Sequence, residues 1–92
     1  PFSSPYTRVQ ETHGMPTVLV LGPYRFFFYS NEGEEPVHVH VQRDRCLAKL
    51  WLDPISIAAS TNFASHELRG IRTLVLQHRP ALLEAWNEHF GR

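Results

Sequence analysis

The segment from Val37 to Gln42 (VHVHVQ) alternates strictly between valine and a polar residue, and this pattern constrains the fold more than any other feature of the chain. A period of two is that of a β-strand with one face in a core. The run from Cys46 to Leu52 (CLAKLWL) predicts a partner strand, with Asp44-Arg45 as the turn between them. The predicted register pairs Val41 with Ala48, Val39 with Leu50, Val37 with Leu52, His40 with Lys49 and His38 with Trp51.

A second hairpin is predicted at the start of the regular pattern. Thr17 to Leu21 (TVLVL) and Tyr24 to Tyr29 (YRFFFY) are β-branched and aromatic runs, and Gly22-Pro23 lies between them as a turn. The acidic, turn-rich segment 30–36 (SNEGEEP) then predicts a loop. In this hairpin Leu21 pairs with Tyr24, Val20 with Arg25, Leu19 with Phe26 and Val18 with Phe27.

The rest of the chain is predicted to be helical. Asp53-Pro54 is typical of a helix start, which predicts a short helical turn through Ala59. Ser65 is predicted to cap a long helix, kinked by Pro80 and ended by Gly91. The predicted fold class is therefore α+β: a small antiparallel four-stranded sheet, a short helical turn, and a long Pro-kinked C-terminal helix on one face.

Length and composition narrow the class of protein. Ninety-two residues make one domain, and we expect residues 1–14 to be a flexible N-terminal extension and residues 15–92 to be the domain. Nine Lys plus Arg balance nine Asp plus Glu, so net charge gives no support to nucleic-acid binding. The single cysteine excludes an internal disulfide, and no apolar run is long enough to span a bilayer. We expect a cytoplasmic protein with no membrane partner.

His38 and His40 carry the sharpest chemical signal. Two imidazoles at positions i and i+2 of a strand point the same way, roughly 6–7 Å apart along the strand. We expect no cofactor, and the alternative is a divalent metal, which two such imidazoles suit as ligands. The nearby candidates for a third metal ligand are Glu34, Glu35, Asp44 and Cys46.

The same two histidines also suit a general acid and base. With Lys49 as a clamp for phosphate, they would make a metal-independent catalytic set for cleaving RNA. Alternatively, both are polar residues on the outer face of an alternating strand. The surface expected to contact a substrate or a partner is formed by Arg25, Trp51, Arg43 and Arg45.

Several segments resemble one known family. They are MPTV at 15–18, GPYRFFFYSNE at 22–32, EPVHVHV at 35–41, AKLWLDP at 48–54 and LEAWNEHF at 83–90. Together they are similar to the bacterial domain-of-unknown-function family 4160 over residues 15–91. One departure is Val37, where the family commonly has a second proline.

The resemblance implies a small cytoplasmic bacterial protein, often encoded beside a member of domain-of-unknown-function family 2442 in pairs that resemble toxin–antitoxin modules. It therefore implies a protein partner, and the leading expectation is a partner-binding component of such a module that acts through the His38/His40 face. The alternatives are a histidine-based ribonuclease-like toxin and a metal-binding domain built on the same strand.

Overall fold

The computed structural model describes residues 17–91, which form one antiparallel sheet and two helices. The five strands follow the chain order across the sheet, so each pairs with the next. They are β1 Thr17–Leu21, β2 Tyr24–Phe27, β3 His38–Arg43, β4 Cys46–Leu52 and β5 Ile55–Thr61. The helices are α1 Ser65–Gln77 and α2 Arg79–Phe90. The predicted α+β class is confirmed, whereas the predicted N-terminal extension lies outside the described residues.

The sheet has five strands, so the predicted count of four is wrong. The predicted helical turn through Ala59 is part of β5, which pairs with β4 from Leu52 opposite Ile55 to Leu47 opposite Thr61. Asp and Pro favour tight turns as well as helix starts, and here Asp53-Pro54 is the turn of a β-hairpin. The β-branched residues that follow favour a strand over a helix.

The predicted long, kinked helix is two helices. The chain breaks at His78, and Pro80 lies in the first turn of α2, where a missing N–H breaks no helical hydrogen bond. Ser65 is the first residue of α1 and makes no capping hydrogen bond, so its predicted role is wrong. Gly91 ends α2 in the left-handed conformation, as predicted.

The predicted registers hold, with one exception. All five pairs of the β3–β4 hairpin are confirmed, the outermost by a hydrogen bond from the Leu52 N–H to the Val37 carbonyl. In the β1–β2 hairpin an irregularity places Thr17, not Val18, opposite Phe27.

The core lies between the sheet and the helices. The valines of β3 share it with Ala48 and Leu50 of β4 and with Ile71, Val75 and Leu82 of the helices, all buried. This fixes the other face of β3 as the histidine face. Within residues 17–91 no helix has the length and apolar character needed to cross a membrane.

Candidate functional site

His38 and His40 lie on the face of β3 opposite its core valines, yet both are almost completely buried. His38 has 0% of its surface exposed and His40 has 6%. The alternation predicted a strand buried on one face, but β3 is covered on both faces from His38 to Val41. A cover over the histidine face, formed by aromatic residues and a loop, explains the difference.

Aromatic rings enclose both imidazoles. The Phe27 ring stacks on His40 with 5.3 Å between ring centroids, and the Tyr29 ring meets the same imidazole edge-on at 4.6 Å. Trp51 and Trp86 pack edge-on against His38 at 5.6 and 5.0 Å. These apolar walls exclude most water, which strengthens any electrostatic interaction between the imidazole nitrogens and a charged ligand.

Glu32 closes the cluster from the loop that joins β2 to β3. Its backbone N–H bonds the Tyr29 carbonyl, and its own carbonyl accepts from the Glu35 N–H, so the loop turns back over the sheet. The carboxylate lies 2.9 Å, through Oε1, from Nε2 of both His38 and His40, and 3.1 Å from His40 Nε2 through Oε2. One carboxylate therefore faces two imidazole nitrogens.

The hydrogen bonds of His38 indicate that a cation belongs between its Nε2 atom and the Glu32 carboxylate. Its Nδ1 lies 2.8 Å from the Pro36 carbonyl oxygen, which can only accept, so Nδ1 carries the proton of the neutral ring. Nε2 of the neutral ring then presents a lone pair to the carboxylate of Glu32, which is also an acceptor. This contact is favourable only if a proton or a metal cation lies between the two groups. His40 carries no such constraint, because its neutral ring can donate from Nε2.

Burial and hydrogen bonding set the charges of the cluster. Desolvation lowers the pKa of His40, and the bond to Glu32 offsets this only in part, so the neutral imidazole is favoured. Burial by itself would raise the pKa of Glu32. The contacts with His38 and His40 outweigh it and hold the pKa of Glu32 below its ordinary value. A neutral imidazole and an ionised carboxylate are the forms that bind a metal ion.

The geometry fits one ion. The three donor atoms of Glu32, His38 and His40 all lie within 4.8 Å of one another. With metal–ligand bonds of about 2.1 Å, neighbouring ligand atoms are about 3.0 to 3.4 Å apart in octahedral or tetrahedral sites. The 2.9 Å nitrogen–oxygen distances need to open by only a few tenths of an ångström to admit a metal.

Comparison with known proteins identifies the chain's family. The profile of a family described as a domain of unknown function (DUF4160) matches residues 24–87. The chain belongs to this family. The matched region holds all three residues of the cluster, and it confirms the resemblance seen in the sequence. No curated protein and no solved structure matches the chain.

In this DUF4160 domain, Lys49, Arg25 and Trp51 accompany the histidines. Lys49 lies opposite His40 in the sheet, but its Nζ is 2.8 Å from Glu35 Oε1 and therefore already has an anionic partner. The Arg25 guanidinium lies over the Phe27 ring at 4.1 Å and bonds Gln42. Trp51 contacts His38.

Arg43 and Arg45 do not join this group. Arg43 reaches the helix layer, where Nε and Nη2 bond the two oxygens of Glu67 at 2.7 and 2.9 Å. Arg45 lies in the exposed turn between β3 and β4, where its carbonyl accepts from Asn62. The predicted contact surface is thus divided between two faces of the sheet.

The third member of the cluster is a residue that the sequence analysis did not nominate. Of the four predicted candidates, Glu34 and Asp44 are exposed, Glu35 pairs with Lys49, and Cys46 lies beside Arg43. The loop's turn composition, SNEGEEP, indicates that the chain reverses there, but it does not show which of the three glutamates returns to the sheet.

Proposed function

We propose that this protein is a divalent metal-binding domain whose ligands are Glu32, His38 and His40. The observation that carries the proposal is the convergence of one carboxylate and two imidazole Nε2 atoms in a largely buried enclosure of aromatic rings. The orientation of His38 supports it, because Nδ1 faces the Pro36 carbonyl oxygen while Nε2 faces the carboxylate, and a cation shared by Nε2 and Glu32 would suit both contacts.

The surroundings of the ligands resemble those of metal sites in general. Metal-binding histidines usually donate the second ring N–H to a carbonyl or carboxylate, which fixes the ring and its tautomer. His38 makes such a bond to Pro36. Because Pro36 lies two residues before His38 in the chain, the approach to β3 orients its own ligand.

The donor set indicates which ions would bind. Two imidazoles and one carboxylate suit Zn²⁺, Fe²⁺, Co²⁺, Ni²⁺ and Mn²⁺, whereas Ca²⁺ and Mg²⁺ prefer oxygen ligands alone. Three protein ligands also leave coordination positions for water or another small ligand. Such a ligand would enter past Glu32 and His40, whose side chains are 13% and 8% exposed, because the His38 side chain is fully enclosed.

Metal titration of the purified 92-residue protein, after treatment with a chelator, tests the proposal. We expect one Zn²⁺ or Co²⁺ per chain by calorimetry, with Co²⁺ also giving visible absorption bands from its ligand field. Glu32→Gln should weaken binding at least about tenfold. The matched controls are Glu34→Gln, an exposed carboxylate two residues away, and His66→Gln, an exposed histidine on α1. Both should bind like wild type.

Two outcomes would overturn the proposal. One is a folded wild-type protein that takes up no stoichiometric metal, and the other is equal affinity in Glu32→Gln and Glu34→Gln. Circular dichroism of each variant separates loss of a ligand from loss of the fold. The conservative His40→Gln substitution tests a second ligand without emptying the space beside Phe27.

Catalysis of RNA cleavage by the histidines receives less support from the geometry. A general acid or base must come within hydrogen-bonding distance of its substrate. His38 has no exposed surface, both imidazoles are directed at Glu32, and Lys49 is paired with Glu35. The same burial does not support a partner surface made of the imidazoles themselves.

A further inference from the structure

The strand β5 forms one edge of the sheet and has an unusual composition for that position. It pairs with β4, and no other described strand lies on its outer side. None of its seven residues (ISIAAST) is charged and none is proline. Exposed sheet edges are usually protected by charges, proline, short length or a β-bulge, because their free backbone groups pair readily with another chain. Of these, β5 has only an irregularity opposite Lys49 and Leu50, and it remains seven residues long.

A cleft borders this edge on the histidine face of the sheet. It has a volume of about 190 Å³, and its lining includes the apolar side chains of Leu47 and Ala59 as well as His40. Leu47 lies opposite Thr61 and Lys49 opposite Ala59 in the β4–β5 register, so these side chains share that face. A strand added beside β5 would direct every second side chain toward the cleft, which suits an apolar residue.

The other face of the edge carries positive charge. Helix α1 packs against β5, and Arg72 reaches to 3.5 Å from the Ile55 carbonyl oxygen. Arg69 and Arg72 are exposed, and neither has a carboxylate within ion-pair distance among residues 17–91. Leu76, one turn beyond Arg72, is 56% exposed. The alternate side chains of an added strand would therefore lie on the face that carries Arg72, beside the exposed Ile57 of β5.

We infer that the β5 edge binds an extended segment of a partner protein in which acidic and apolar side chains alternate. The backbone of the segment would extend the sheet, its apolar side chains would occupy the cleft, and its carboxylates would pair with Arg69 and Arg72. A second copy of this chain is a poorer occupant. A two-fold axis between two β5 strands would bring two α1 helices, with the same arginines, to the same side of the joint sheet.

The probe for a first test is a ten-residue blocked peptide of alternating valine and glutamate, added to ¹⁵N-labelled protein. We expect the amide signals of residues 55–61 to shift, and the matching valine–lysine peptide to leave them unchanged. Arg72→Glu and Ala59→Glu should each weaken binding at least about tenfold, because a like charge then faces the peptide. Val20→Glu adds the same charge to an exposed position on the opposite edge, β1, and should bind like wild type.

The inference is overturned if millimolar peptide shifts no β5 signal, or if the lysine peptide binds as well as the glutamate peptide. It is also overturned if the β5 signals broaden with protein concentration in the absence of peptide, since the occupant is then a second copy. Repeating the titration with Glu32→Gln separates this surface from the metal site, because that variant should bind the peptide normally.

Discussion

Gly33 lies directly against the ring of Phe90, so closely that a Cβ atom added to Gly33 would be 2.7 Å from Phe90 Cδ1. Gly33 follows Glu32 in the loop over the histidines, and Phe90 is the last residue of α2. The end of the helix therefore holds the loop that carries the carboxylate. Stability of the helix end and geometry of the candidate metal site are coupled through this contact.

Replacing Gly33 with alanine should destabilise the protein and weaken metal binding together. The methyl group must displace the Phe90 ring, and overpacking of this kind typically costs about 1–3 kcal/mol. Gly70→Ala is the matched control, because nothing lies within 4 Å of the Cβ added there. In the middle of helix α1 that substitution should stabilise by about 0.5–1 kcal/mol. Urea unfolding of both variants, followed by zinc titration, measures the two effects.

A Gly33→Ala variant that is at least as stable as wild type would contradict the contact between Gly33 and Phe90. The double variant Gly33→Ala with Phe90→Leu supplies a further check. A smaller side chain at position 90 should recover part of the lost metal affinity if crowding by the ring is the cause.

The tryptophans should report metal binding directly. Both indole rings lie within 5.6 Å of the His38 ring, measured between centroids. We expect Co²⁺, with its partly filled d shell, to quench most of the tryptophan emission, and Zn²⁺, with a filled d shell, to quench far less. The Glu32→Gln variant should need a much higher Co²⁺ concentration. Equal Co²⁺ quenching in wild type and Glu32→Gln would show that the ion binds elsewhere.

The β3–β4 hairpin could be predicted from sequence because its information is local. Strict alternation fixes which residues of the strand share a face, and two turn residues fix the register, so the position of His40 opposite Lys49 followed directly. The segment that forms β5 could not be distinguished from a helix by such local information. Asp53-Pro54 favours both a hairpin turn and a helix start, and only pairing with β4 decides between them.

Glu32 could not be predicted because its role depends on the path of a loop. Three carboxylates lie within residues 32–35, and sequence alone does not show which of them turns inward. The tertiary structure decides this through the contact between Gly33 and Phe90 and through the pairing of Glu35 with Lys49. The burial of the histidines likewise depends on Trp86, which is far away in the chain.

Metal affinity should fall on acidification. Both imidazoles must be unprotonated to bind, so each proton that has to leave costs up to about tenfold in affinity per pH unit. Burial lowers the pKa of His40 from its ordinary 6.5. Protonation of His40 therefore begins to reduce the metal affinity only below pH 6.5. Zinc affinity measured between about pH 8 and pH 5 should be nearly level at first and then decline. A steep change confined to the alkaline side would contradict binding through these imidazoles.

The ion pair between Arg43 and Glu67 should make the fold sensitive to acid. Hydrogen bonds from Arg43 and then Tyr24 lower the pKa of Glu67 from its ordinary 4.5. When folding lowers the pKa of a carboxylate, the ionised group stabilises the folded protein. This stabilisation is complete at pH values above the pKa in the unfolded chain, and it is lost as the pH falls through the pKa in the folded protein. Glu67→Gln should therefore be less stable than wild type near neutral pH, and the difference should shrink below about pH 4.5.

Urea midpoints at several pH values measure this difference. The exposed Glu84→Gln substitution on α2 controls for the loss of one negative charge and should follow wild type throughout. If the gap between wild type and Glu67→Gln were unchanged at acid pH, the Arg43–Glu67 pair would not be the source of the stability. The side chains of Arg43 and Glu67 join β3 to α1 on the face of the sheet opposite the histidines. We therefore expect the Glu67→Gln variant to bind zinc at pH 7 as wild type does.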